Sequence, residues 1–257
     1  PLKFFDAADV LIKLFQAAAS EGPANALKAA LMDTFDAMTG AVLDVLTSAA
    51  ENAAISVVAG TEAEMAELQS TGFMNLPLDA ILPAFKVALQ AEMQKSDEVM
   101  KEAAMTAAMG AKDPAVQAAR DYVIAVAVSE AGFQEPPAET IKAAMRVAVA
   151  AAVDAAKASV VASAKLAVEA AMVSAEAKVA VDLQVDPAAL RTFFTDRPGA
   201  YTQADLEAKL QETLDASKAA ALDAAMGTSL GIVVVASSGV LEAGWKGGPS
   251  ATFPCSW

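Results

Sequence analysis

"AETIKAAMRVAVAAAVDAAKASVVASAKLAVEAAMVSAEAKVAVD" occupies residues 138–182 and holds neither glycine nor proline over its 45 positions. Those are the two residues that most disfavour a helix interior. Alanine, which dominates here, is the best helix former because it loses no side-chain rotamer freedom and buries no polar group. At 1.5 Å per residue such a helix would run roughly 68 Å. The stretch therefore predicts one long rod or a tight helical hairpin. Between Glu139 and Asp182 its charges are thinly spread, at Lys142, Arg146, Asp154, Lys157, Lys165, Glu169, Glu176 and Lys178. Lys165 and Glu169 lie one turn apart. Asp154, Lys165 and Glu176 recur every eleven residues, a period that keeps a stripe on one side of a nearly straight helix.

The same composition continues outward. Alanine supplies 65 of the 257 residues and aromatic residues only 5%, so an all-α fold of long alanine-rich helices is expected. Small side chains bury little area each, so these helices must approach closely or lean on partners. Breaks punctuate the pattern at "SEGPAN" (20–25), at "STGFMNLPLDAILP" (70–83), at "GAKDP" (110–114) and at "GFQEPPAET" (132–140). Thr61 followed by Glu64 reads as a capping box. Asp186 before Pro187, and Thr202 with Asp205, read as further helix starts. These marks divide the chain into an N-terminal helical region (1–134) and a long-helix region (135–223) with a proline-rich interruption near 185–201. An apolar segment (224–245) and a polar tail (246–257) complete it. Within the first region, Phe4, Phe5, Leu11, Ile12 and Phe15 have amphipathic helical spacing. Met93, Met100, Met105 and Met109 read as adaptable core filler. Beginning at Pro1 rather than Met, the chain is expected to be a processed mature protein.

The charge balance narrows the function classes. A formal net charge of −14 repels phosphate backbones, so no nucleic-acid partner is expected. Histidine is absent, which removes serine–histidine and cysteine–histidine catalysis and imidazole metal sites. Cys255 is the only cysteine, so no internal disulfide framework exists. The carboxylates lie along helix faces beside lysines, and no phosphate loop, EF-hand or nucleophile elbow occurs. No catalytic residue and no metal ligand are assigned, and a non-enzymatic protein is expected.

"AAMGTSLGIVVVASSGVLEAGW" (224–245) is the other informative stretch, with 18 uncharged positions from Ala224 to Leu241. No second β-branched run exists to pair with "GIVVV", and a lone strand would leave its backbone groups unsatisfied. The segment is apolar all round and long enough to span a bilayer. Gly227 and Gly231 form a GxxxG spacing, with Gly239 on nearly the same face, suited to close helix packing within a membrane. Trp245 stands where an interfacial anchor belongs. A C-terminal transmembrane helix over 224–245 is therefore expected, with a buried core helix as the alternative.

The absent initiator Met, the helices typified by "AVAAAVDAAKASVVASAKLAVEAAM" and the late "LGIVVVASSGVL" give the chain a layout of known style. It resembles the alanine-rich linker subunits of algal photosystem–antenna supercomplexes. That resemblance implies a non-catalytic scaffold in a plastid thylakoid, with its large N-terminal part on the stromal side and integral membrane subunits as partners. It also implies chlorophyll or carotenoid contacts near Gly227 and Gly231, without an intrinsic cofactor, because the three-span layout and paired Glu–Arg helices of true antenna proteins are missing. The residues themselves leave an alternative open: a soluble helical carrier enclosing a lipid or pigment between alanine- and methionine-lined helices.

Overall fold

The computed structural model describes residues 23–71, 77–129, 138–197 and 199–246, with the backbone alone described at Pro23, Ala24, Ala26, Glu62 and Thr71 and over 127–129 and 228–246. Every regular element among the described residues is helical. In chain order they are α1 (Pro23–Ala59), α2 (Glu62–Thr71), α3 (Leu78–Lys95), α4 (Asp97–Gly110), α5 (Lys112–Ser129), α6 (Ala138–Leu183), α7 (Pro187–Asp196) and α8 (Gln203–Lys246). The amphipathic pattern at 4–19 and the polar tail lie outside the described residues.

Local chemistry accounts for the boundaries. Pro23 opens α1, where a missing N–H has no intrahelical partner to lose. α1 runs unbroken through Gly40 and stops at Gly60, whose φ of +79° is the left-handed conformation of a helix C-terminus. The expected capping box follows: the Thr61 N–H donates to Glu64 Oε2 at 2.9 Å, and the Glu64 N–H donates to Thr61 Oγ1 at 3.3 Å. Residues 78–110, between two of the breaks, form two helices separated at Ser96. Asp186 accepts from the Ala188 N–H at 3.0 Å and so caps α7, with Pro187 in its first turn. Before α8, Asp205 accepts from the Thr202 N–H at 3.0 Å while Thr202 Oγ1 accepts from the Asp205 N–H at 3.1 Å.

The decisive stretch at 138–182 is a rod, and the hairpin reading falls away: α6 is a single helix of 46 residues. It ends in a two-bond motif in which the Val185 N–H donates to Ala180 O at 3.1 Å and the Gln184 N–H to Val181 O at 3.4 Å. Gln184 takes a φ of 51° there, a position glycine usually fills.

The chain forms two compact units, each assembled from separated segments. One contains residues 1–38, 112–151 and 224–257. Its core gathers Leu27, Leu31 and Phe35 of α1, Val116 and Val123 of α5, and Ile141, Met145 and Val149 of α6. Lys112 donates to Asp36 across α5 and α1 at 2.7 Å. The second contains residues 39–111 and 152–223. Its core combines Leu43 and Leu46 of α1 with Phe85 and Leu89 of α3, Phe193 and Phe194 of α7, and Leu206, Leu210 and Leu214 of α8. Met93 and Met100 are fully enclosed in it, in keeping with a filler role.

Two stretches, Leu27–Ser70 and Ala138–Leu183, are long and apolar enough to cross a membrane by length and composition. About half of each apolar window is buried within the protein (50% and 44%), so both also serve as core helices.

The two left-handed positions yield paired expectations. Gly60→Ala should destabilise by about 1–2 kcal/mol, since a Cβ there would also stand 3.1 Å from Glu64 Oε2. Gln184→Gly should stabilise by about 0.5–1 kcal/mol, because it removes the same strain. Urea denaturation of the two variants checks both signs.

Candidate functional site: an uncharged helix ridge

The part of α6 that lies in the second unit divides sharply by chemistry. Its inward positions are small or β-branched: Ala152, Ala156, Val160, Ala164, Val168, Ala171, Ala175 and Val179 are all buried. One flank carries the charges and turns them toward α8. Asp154 pairs with Lys218, Lys157 with Asp215, and Lys165 with Glu207 at 2.7 Å. Glu169 accepts from the Gln203 amide at 3.0 Å. Partner numbers fall on α8 as they rise on α6, which fixes an antiparallel register. Further along, the Tyr201 hydroxyl donates to Met172 Sδ at 2.7 Å. Burial, together with the nearby Glu169 and Glu176 carboxylates, holds the Tyr201 phenol above its ordinary value.

The eleven-residue recurrence is realised as this flank. Asp154 and Lys165 bind α8, and Glu176 accepts from Arg191 of α7 at 2.8 Å. Glu176 is only 5% exposed. A buried carboxylate needs such a partner, since an unpaired charge in the interior is strongly disfavoured.

The outer side of α6 also carries a line of uncharged positions: Ala155, Ala158, Ala162, Leu166, Ala170, Val173, Ala177 and Val181 are all exposed, with Lys178 and Asp182 exposed beside its C-terminal end. Leu166 is 67%, Val173 55% and Val181 77% accessible. From Ala155 to Val181 the ridge extends about 39 Å along the helix. Scattered exposed apolar residues are ordinary on a protein surface, and this line differs from them in following one side of a single helix.

The unit carrying this ridge is pinned by Arg197, which is 5% exposed. Its Nη2 donates to Val58 O at 3.1 Å, one of the last carbonyls of α1. A cation at that helix end is favoured by the backbone dipoles. The guanidinium also lies over the rings of Phe193 and Phe194, at 5.6 and 5.9 Å from their centroids. Phe194 in turn stacks on Phe85 at 3.8 Å, so one side chain links α1, α3 and α7. Burial pulls the guanidinium below the usual arginine value, and the Glu64 carboxylate opposes that shift. In sequence Arg197 looks like an ordinary charged loop residue beside a proline. Its burial arises only when α7 folds back against α1 and α3.

The residues assigned to membrane-helix packing belong to one element. Gly227, Gly231, Gly239 and Trp245 all fall within the continuous helix α8, so the strand reading of "GIVVV" does not hold. Gly227 is exposed, and a Cβ there would meet nothing within 4 Å. The surroundings of the other three lie outside the described residues. Among the described residues, shallow grooves are open to the surface. One, of about 570 Å³, is lined by Glu98, Lys101, Met105 and Met109 of α4. The other, of about 300 Å³, lies between Met65 of α2 and Pro83 of α3. Among the described residues, no three acidic or thiol side chains gather as metal ligands do.

No protein-family model matches the chain, and no curated protein or solved structure is significantly similar to it.

Arg197→Ala should destabilise the fold by about 2–4 kcal/mol, because it leaves Val58 O unpartnered and opens a void beside the phenylalanines. Arg197→Lys should recover little of this, since an ammonium lacks the planar face that stacks on the rings. Thermal unfolding of both variants tests the comparison.

Proposed function

We propose that the chain is a non-catalytic structural linker of a membrane protein complex. Residues 224–245 hold it to the bilayer, and the α6 ridge docks against apolar helices of neighbouring subunits. The ridge is the observation that carries this reading. Four charged side chains of α6 are tied to α8, and the eight ridge positions are themselves uncharged, so a partner can cover those positions while Lys178 and Asp182 stay at the edge of the contact. A helix of 46 residues also gives reach across more than one neighbour.

For the membrane segment, the support is sequence chemistry on a continuous helical backbone. Eighteen uncharged positions, the glycine spacing and Trp245 fit a single span. The resemblance to algal photosystem–antenna linkers supports a thylakoid assembly in particular, with integral antenna or photosystem subunits as partners. In that setting chlorophyll or carotenoid would touch the chain near Gly227 and Gly231.

Fractionation with and without residues 224–257 tests the anchor. The full chain is expected to resist carbonate extraction and the shortened one to be released; a full chain that is wholly soluble defeats the anchored reading. The ridge is tested by Leu166→Glu with Val173→Glu. Both positions face solvent, so stability should change by less than about 0.5 kcal/mol for each. Co-sedimentation with partner polypeptides in mild detergent should be lost while membrane attachment persists. A monomer that instead co-purifies with a stoichiometric lipid or pigment and no polypeptide would favour the carrier.

A further inference from the structure

The exposed line on α6 is complementary to itself. Its eight positions, from Ala155 to Val181, pair off about Val168 to within about half a residue. Any evenly spaced line has such a centre; here the contents match as well. Leu166 pairs with Ala170, Val173 with Ala162 and Val181 with Ala155, while Ala158 pairs with Ala177. Leu166, Val173 and Val181 are the large exposed side chains of the line, and each meets an alanine. Reversing the helix end to end therefore sets a bump wherever the original has a gap.

We propose, resting on the docking role given to the ridge above, that its occupant is a second copy of this chain. The two α6 helices pack antiparallel, centred near Val168. A twofold contact of this kind uses the same patch on both copies and closes after two. Each leucine or valine packs over an alanine of the other copy, so the helices approach closely without leaving voids. A parallel pair would instead set Leu166, Val173 and Val181 each against its own equivalent. Those contacts would hold the intervening alanines apart.

Charge favours the same register. At the centre, Lys165 of one copy comes level with Glu169 of the other, twice by symmetry, so opposite signs flank the apolar contact. Toward the ends, Lys178 and Asp182 come level with Lys157 and Asp154 of the second copy, whose charges are already balanced by Asp215 and Lys218 of α8. A ridge of roughly 39 Å by about 10 Å covers roughly 400 Å² on each copy, about half of what a standard stable complex buries. The pair is accordingly reversible and forms at high protein concentration.

The test is disulfide mapping of the full chain in mild detergent, where copies are free to meet in either direction, with Cys255→Ser removing the native thiol. One sample carries Ala162→Cys and another Val173→Cys. These two positions face each other across the twofold, whereas each lies about 17 Å along the axis from its own equivalent, too far for a disulfide. Oxidation should therefore link the mixed samples and leave each one alone unlinked. Ala170→Trp fills the place taken by Leu166 of the other copy and should cut the mixed yield at least about tenfold, with the circular dichroism unchanged. Self-linking of either sample as strong as that of the mixture, or linking that Ala170→Trp does not reduce, overturns the antiparallel register. An unlinked mixture overturns the second copy as occupant; if partner polypeptides still co-sediment through the ridge in that case, the linker reading stands without it. Linking in the mixture with no partner polypeptide supports the pair and removes the linker.

Discussion

The register between α6 and α8 is the constraint on which the second unit depends. The inward face of α6 is mostly alanine and valine and therefore smooth, so its van der Waals gain changes little when the leucines of α8 slide along it. Dispersion and apolar burial bring such helices together without saying where they stop. The pairs from Asp154–Lys218 to Glu169–Gln203 supply the stop. Each exposed ion pair contributes little to stability, about 1 kcal/mol at most. Slipping by a turn would break all of them together and bring unmatched groups face to face. Their contribution is therefore specificity, in the manner of flanking charges in a coiled coil.

That register has two consequences. It turns the polar flank of α6 inward against α8 and leaves the uncharged ridge outward, so one arrangement supports both the fold and the surface available for docking. It also sets where α7 returns. Arg191 of α7 reaches Glu176 of α6, and the same short helix brings Phe193, Phe194 and Arg197 against α1 and α3. Arg197 closes this assembly because it satisfies a carbonyl at the end of α1 while its flat face covers two aromatic rings.

Much of this architecture was legible in the sequence because it rests on short-range chemistry. Thr61 with Glu64, Asp186 before Pro187, and Thr202 with Asp205 start helices whatever they later pack against, since each pair satisfies backbone groups within its own turn. The absence of glycine and proline from 138 to 182 likewise required no tertiary information. The separation at Ser96 was less visible, because the residues on both sides are good helix formers. The burial of Glu176 and Arg197 was not visible at all: nothing in their neighbouring residues distinguishes them from solvated charges, and their partners stand 15 and 139 positions away.

By itself, then, the sequence determined the helices, their caps and the uncharged character of 224–241, for these depend on backbone entropy, local hydrogen bonds and side-chain hydrophobicity. It also placed Asp154, Lys165 and Glu176 on one stripe, since an eleven-residue period is a property of the helix alone. Only the tertiary structure decided what that stripe faces, which side of α6 is left open, and which of many charged residues are buried. Those outcomes depend on pairing between segments far apart in the chain, where a smooth alanine surface allows several alignments and a few complementary charges select one.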